Sequence, residues 1–222
     1  MEQVNDSQIP VDQGTPDSNI AWNRYRWGSK VNWTGKDNYG YQWGGGYKQL
    51  NSEATRVSDL FLVPYIKSRY DLKIMELSPG GGRFTAELIR FSRELVLLDM
   101  NQACIDICKE RFKYYPNVRY FTNDGISCQM IKENDFDLIA SFDSMVHMHP
   151  GIIQKYVEQF SKMIKSGGLI WLDHSGRGEC KNGHRTDMTD QKIAMIASQN
   201  GLNIIAQIFR NNHDCITIMQ SK

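Results

Sequence analysis

At 222 residues, with 41% apolar and 23% charged side chains, the chain has room for one domain with a sizeable core and not for two comfortable ones. Twenty-six basic residues against 25 acidic ones leave a net charge of +1, which argues against the one-signed field of a nucleic-acid or anionic-membrane binder. No apolar run approaches the roughly 18 residues of a membrane span. The N-terminal MEQVNDSQIPVDQGTPDSN has neither the basic nor the apolar region of a signal peptide, so a cytoplasmic protein without a membrane partner is expected.

Residues 1–19 are polar and lack aromatics, and a disordered N-terminal tail is expected there. Residues 20–50 change character, with Trp22, Trp27, Trp33 and Trp43 set among Tyr and Gly and no clear helical or strand period. Two compatible readings exist for this segment. It covers one edge of the core, or it forms an aromatic lid in which Trp27 and Trp43 touch substrate. Residues 51–222 are expected to hold the domain proper.

From there strands and helices alternate. A helix is expected over 52–70, capped by Ser52 and kinked at Pro64. A strand at Lys73–Leu77 runs through a glycine turn into a helix ending near Phe91. Leu95–Asp99 is a second strand and Asn101–Phe112 a helix. Val118–Phe121 and Phe136–Phe142 are the third and fourth strands. Pro150 opens a helix whose Ile153, Tyr156, Val157, Phe160, Met163 and Ile164 recur at helical spacing, with Gly167 and Gly168 expected to stop it. Leu169–Asp173 is a fifth strand. Thr189 caps a helix that ends at Gly201, and Leu202–Phe209 with Cys215–Met219 make an antiparallel edge hairpin. This alternation predicts an α/β fold with a mostly parallel sheet covered by helices on both faces. The five cysteines include no CxxC pair, and Cys104 and Cys108, four apart on one expected helix, read as small core residues and not as metal ligands or a disulfide.

In an open α/β sheet, ligands bind outside the carboxyl ends of the strands. After the first strand comes Glu76-Leu77-Ser78-Pro79-Gly80-Gly81-Gly82-Arg83-Phe84-Thr85, whose glycines let a ligand approach the backbone. The run lacks the last glycine of a dinucleotide fingerprint and the Gly-Lys-Ser/Thr of a P-loop. Asp99 ends the second strand, where a carboxylate accepts ribose hydroxyls or caps the following helix. Asn123-Asp124-Gly125 follows the third strand, Ser141-Phe142-Asp143-Ser144 ends the fourth, and Gly167-Gly168 leads into Asp173-His174 at the end of the fifth.

The acidic-x-x-x-Gly-x-Gly of Glu76, Gly80 and Gly82, with Ser78 where a first glycine is usual, resembles motif I of class I S-adenosylmethionine (SAM)-dependent methyltransferases. Together with the later segments, the resemblance covers roughly residues 70–175. It implies a Rossmann-like methyltransferase fold and SAM as cofactor. Glu76, Ser78, Gly80, Gly82, Asp99, Met100, Asp124, Gly125 and Phe142 would contact SAM, with Asp124 taking the adenine amino group. More narrowly, E-L-S-P-G-G-G-R-F-T, F-D-S-M-V-H and L-D-H-S are similar to small methyltransferases of sugars or polysaccharides.

Four of the five histidines, His147, His149, His174 and His184, fall on the segments that leave the fourth and fifth strands. Methyl transfer to a hydroxyl gains from a base that takes the proton, which assigns His147 first and His174 second as catalytic. Asp143, Asp173, Arg177 and Arg185 are candidate substrate contacts, the two arginines reading equally as solvated surface charge. A rival reading makes a metal site of Asp143, Asp173 and the histidines, although the spacing matches no metal pattern. The expected activity is SAM-dependent O-methylation of a small polar acceptor, foremost a sugar hydroxyl of a glycan. The alternatives are N- or C-methylation of another metabolite, and a SAM- or nucleotide-binding protein without catalysis.

Overall fold

The structure is a computed structural model that describes residues 14–35, 38–40, 53–67, 69–178 and 185–222. Its centre is a seven-stranded sheet: β1 (Leu72–Leu77), β2 (Ser92–Asp99), β3 (Val118–Thr122), β4 (Phe136–Met145), β5 (Ile164–Ser175), β6 (Leu202–Phe209) and β7 (Asp214–Ser221). The strand order is β3-β2-β1-β4-β5-β7-β6, parallel except for β7, which runs antiparallel to both neighbours. This is the Rossmann-like methyltransferase fold that the sequence predicts.

Strand alternation divides the core between the two faces of the sheet. Met75, Leu77, Val96, Leu98, Ile139 and Leu172 pack under α6 (Pro150–Met163) and α7 (Asp190–Gln199). Ile74, Leu95, Leu97, Leu138 and Trp171 pack on the other side with residues of α4 (Thr85–Leu88) and α5 (Gln102–Arg111). Every residue of β1 is buried, as expected of a central strand covered on both faces.

Three departures from the sequence reading have local causes. First, α1 spans Pro16–Ser29, so the expected tail boundary at residue 19 falls inside a helix. Thr15 caps it in a reciprocal box with Ser18, and Pro16 supplies the fixed φ of a first helical position. Residues 1–13 lie outside the described residues. Second, the helix expected over 52–70 is broken into α2 (Glu53–Val57), a π-helical turn at Ser58–Leu62 and α3 (Val63–Ile66). Pro64 has no N–H for the preceding turn, and the helix widens just before it. Ser52 lies outside the described residues. Third, α6 stops at Met163, before Gly167. Ile164 already pairs with Phe136 while Leu169 pairs with Leu138, so the residues between bulge out, with Gly167 at φ 73.

Candidate cofactor and acceptor site

Strand order reverses between β1 and β4, and a cavity of about 510 Å³ opens at their carboxyl ends. Glu76 and Ser78 from the end of β1, Asp99 and Met100 from β2, and Phe142, Asp143 and Ser144 from β4 share its wall. A smaller adjoining cavity is lined by Ile20, Ser78, Met100, Gly125, Met148, Ile152 and Tyr156.

Two carboxyls define one side. Glu76 is 1% exposed, and its Oε2 accepts the Thr85 hydroxyl at 2.6 Å. Burial pushes its pKa up to about 8, with the Thr85 bond opposing. Asp99 Oδ1 accepts the Asn101 N–H at 2.8 Å and Oδ2 the Gly80 N–H at 3.3 Å. Burial raises it to about 6 against those backbone bonds. Carboxylates desolvated in this way are stabilised by added hydroxyl donors.

The turn between them is tightly shaped. Ser78 takes φ 57, the left-handed region in which a glycine is at ease, and its N–H donates to Leu98 O at 2.7 Å. A Cβ on Gly80 would lie 2.8 Å from the Trp33 ring, so the aromatic segment rests on this turn. A Cβ on Gly82 would lie 2.6 Å from the Phe112 ring; this glycine serves packing against the end of α5 and does not line the cavity.

The wall beyond β4 is ionic. The Arg210 guanidinium, 5% exposed, reaches Glu53 Oε1 at 2.7 Å, Asp143 Oδ1 at 2.8 Å, Asp173 at 3.0 Å and Asp214 Oδ2 at 3.1 Å. Arg83 Nη2 donates to Asp143 Oδ2 at 2.5 Å, and Arg185 grips Asp214 with Nε and Nη2 at 2.6 and 2.9 Å. Burial pushes the Asp143 carboxyl up, but Arg83 and Arg210 outweigh it and hold it below the usual range. Asp173, which does not line the cavity, is raised to about 7, because burial prevails over Arg210 there.

His147 lies on the cavity wall, in the loop between β4 and α6, with its ring 4.9 Å from that of Trp27. His174 does not. Consecutive residues of β5 point to opposite sides, and His174 is fully buried between Ser175 O and the Thr217 hydroxyl, each at 2.7 Å. Burial lowers its pKa to about 4, and its expected role as a second base is corrected to that of a core histidine. His149 caps α6, its Nδ1 accepting the Gly151 N–H at 3.0 Å.

Of the other expected contacts, Trp27 and Arg185 line the cavity, although Arg185 is engaged with Asp214. Arg177 is exposed, its guanidinium 4.8 Å from the centre of the Phe209 ring, and lines neither cavity. Asp124 spends Oδ1 on the Ile126 and Ser127 N–H groups at 2.9 and 2.7 Å and lines neither cavity, whereas Gly125 beside it does. Trp43 and His184 lie outside the described residues. Asp143 and Asp173 carry guanidinium partners, and among the described residues no group of three or more His, Cys, Asp or Glu converges as a metal site would. No helix among the described residues is long and apolar enough to cross a membrane.

Sequence reasoning missed Asn23, Trp33, Arg83, Arg210, Asn211 and Asp214, all of them cavity-lining. The last three had a legible signal. β6 runs parallel to β5, so the polar turn Arg210-Asn211-Asn212-His213-Asp214 emerges at the same sheet edge as the other site segments.

Residues 74–168 match the family of methyltransferase domains. Over 135 residues the chain is 32% identical to phosphoethanolamine N-methyltransferase 1 of Zea mays, covering 60% of this chain and 25% of that protein. It is 29% identical over 117 residues to phosphoethanolamine N-methyltransferase of Triticum aestivum, covering 52% and 23%. The chain thus spans about a quarter of the length of these relatives. Among solved structures, it resembles a SAM-dependent methyltransferase from Clostridium acetobutylicum (TM-score 0.65, 13% identity, 78% of this chain and 94% of that one). It also resembles magnesium protoporphyrin IX methyltransferase from Synechocystis with bound SAM (TM-score 0.64, 14% identity, 92% and 97%). The N-methyltransferase NodS of Bradyrhizobium japonicum, in complex with S-adenosylhomocysteine (SAH), gives a TM-score of 0.63 at 17% identity over 76% and 87%. SAM is bound in the Synechocystis protein and SAH in NodS, and in this chain Glu76 and Asp99 offer acceptors that a ribose in the larger cavity would meet. Between residues 74 and 168 the chain is thus similar to methyltransferase domains, on a fold that it shares with solved SAM-dependent methyltransferases.

Proposed function

We propose that the chain is an enzyme that transfers the methyl group of SAM to a small polar acceptor, with His147 as the base. When bound, SAM supplies an electrophilic methyl group on a sulfonium. The chain's residues do the rest. Glu76 and Asp99 hold the ribose hydroxyls, Met100 and Gly125 flank the purine, and Phe142 and Asp143 border the reacting end. His147 takes the proton that the acceptor loses. The carrying observation is that Glu76 and Asp99 share one cavity with Asp143 and His147.

We take an amine as the acceptor, with the names of the curated relatives in support. The rings of Trp27, Trp33 and Tyr39 border the same cavity, and aromatic faces attract an ammonium. A sugar hydroxyl is the second reading, favoured by those same rings, on which a sugar face stacks. Calorimetry should show binding of SAM or SAH and none of NAD. Transfer of labelled methyl from SAM to phosphoethanolamine, and not to free sugars, supports the amine reading; the reverse pattern supports the hydroxyl. Tight NAD binding without SAM binding overturns the proposal.

A further inference from the structure

α1 reaches the base from a direction that motif reading does not suggest. Asn19 and Asn23 stand one turn apart on this helix, 1% and 4% exposed. Both side-chain amides donate to the His147 carbonyl, each at 3.0 Å. Asn19 Oδ1 accepts the His149 N–H at 2.9 Å, so the main chain is gripped on both sides of Met148. Asn23 Oδ1 accepts the Trp27 indole N–H at 3.0 Å, and the Trp27 ring leans on the His147 imidazole with 4.9 Å between centroids. One amide therefore fixes the histidine twice: its backbone directly and its ring through Trp27.

We propose that Asn23 is the positioning residue for His147, and that α1 completes the acceptor side of the site. This rests on the reading of His147 as the base. The mechanical argument is independent of that role. The 146–149 loop has no regular structure of its own. Its carbonyl at residue 147 is held by side chains from more than 120 positions away. The Asn23 nitrogen also faces Asn19 O at 3.0 Å and Asn19 Oδ1 at 3.1 Å, so the amide has one orientation that satisfies its surroundings, oxygen to the indole and nitrogen to these acceptors and the His147 carbonyl. Turning that nitrogen into an oxygen sets acceptor against acceptor at His147 while keeping the volume.

The test uses the full chain with and without SAH. Proton–carbon NMR of the histidine rings, with His147 identified by its loss in His147→Gln, reads the imidazole directly. Asn23→Asp and Trp27→Phe should each shift the His147 ring signals and alter their pH titration, with the His213 signals unmoved. With labelled SAM and phosphoethanolamine as probe, kcat should fall about ten-fold or more, the size a misplaced base costs, and KM for SAM should change less than about three-fold. Asn23→Ala serves as a second variant, with melting temperature measured alongside. Unchanged His147 signals in folded Asn23→Asp overturn the positioning role. If those signals move but His147→Gln transfers methyl at the wild-type rate, the reading of His147 as base fails and the positioning stands.

Discussion

The main-chain N–H of Asp143 donates to Asp173 Oδ2 at 3.0 Å, and Asp143 does this from a left-handed backbone at φ 53. Such a conformation costs a residue with a Cβ on the order of 1–2 kcal/mol and persists where its surroundings determine it. Here they are Arg210, which joins Asp143 to Asp173, and Arg83, which takes the other Asp143 oxygen. Removing Arg210 leaves several buried carboxyls without their common partner. Arg210→Met should destabilise the fold by about 3–5 kcal/mol, as for other broken buried pairs. Urea unfolding is the measurement; a loss under about 1 kcal/mol would mean that the network is mere decoration.

Ser78 occupies the turn position where motif I usually has glycine, and its φ of 57 says why. Ser78→Gly should relieve left-handed strain and lose some chain entropy, for a net gain of about 0.5–1 kcal/mol. SAH affinity should be kept. A destabilised Ser78→Gly protein would show that the serine contributes more than its backbone shape.

Stability should fall with rising pH in the protein without ligand. Burial raises Glu76 from 4.5 to about 8, Asp99 from 3.8 to about 6 and Asp173 from 3.8 to about 7. Between the ordinary and the raised values the folded state binds more protons than the unfolded one, so their contribution is whole below about pH 4 and is lost as pH climbs through 6 to 8. Asp143 and Asp214 are shifted downward, so theirs is present above the ordinary value and lost in stronger acid. His174, lowered from 6.5 to about 4, acts in the opposite sense between those values, but the three raised carboxyls outnumber it, so the melting temperature should decline from about pH 5 to about pH 8.5, and Glu76→Gln should flatten the upper part of that slope. A melting temperature that rises over this interval contradicts the burial argument.

The sequence made the parallel sheet legible because its central strands are short apolar runs separated by glycine turns and amphipathic helices. It also exposed the residues that follow β1, β2 and β4, since function collects at strand ends. It concealed which side of a strand each neighbour faces beyond β5, so His174 looked equivalent to Asp173. It concealed α1 because the hydrophobic period is weak. That helix buries Asn19 and Asn23 in place of aliphatic residues, and a hydrophobicity pattern cannot register buried amides. The capping box Thr15-Pro16-Asp17-Ser18 was the available signal. The Arg210 network was illegible for another reason: its members come from α2, β4, β5 and the last turn, and only the fold brings them together.

Loss of the start of α1 should be felt at a distance. A chain beginning at Ile20 lacks the Thr15 cap and the Asn19 amide that pairs with His147 O and the His149 N–H. A lost cap costs about 1 kcal/mol, and an unpaired buried backbone group about 1–3 kcal/mol. The shortened protein should melt lower than the full chain, and Thr15→Ala should reproduce only the smaller share. Equal melting curves for the full and shortened chains would show that α1 is not docked in solution.

Asp99 offers the cleanest test of how the cofactor is held. Its carboxylate is oriented by the Gly80 and Asn101 N–H groups, which fix its place without neutralising it, and burial keeps its pKa near 6. A ribose hydroxyl donates a hydrogen bond to such a group, and donation favours the ionised form. Affinity for SAH should therefore rise as pH increases through about 6, because the unliganded carboxyl no longer has to lose a proton on binding. Asp99→Asn keeps the size and one acceptor but removes the charge, so a bond worth about 1.5–3 kcal/mol falls to that of a neutral pair, near 1 kcal/mol. That corresponds to a loss in SAH affinity of about ten-fold. The pH dependence near 6 should disappear with it, and methylthioadenosine, which shares the ribose, should weaken equally. Adenine alone should bind the two proteins alike. If Asp99→Asn binds SAH as the unaltered protein does across this pH range, the ribose is held elsewhere in the cavity and Asp99 only shapes the turn.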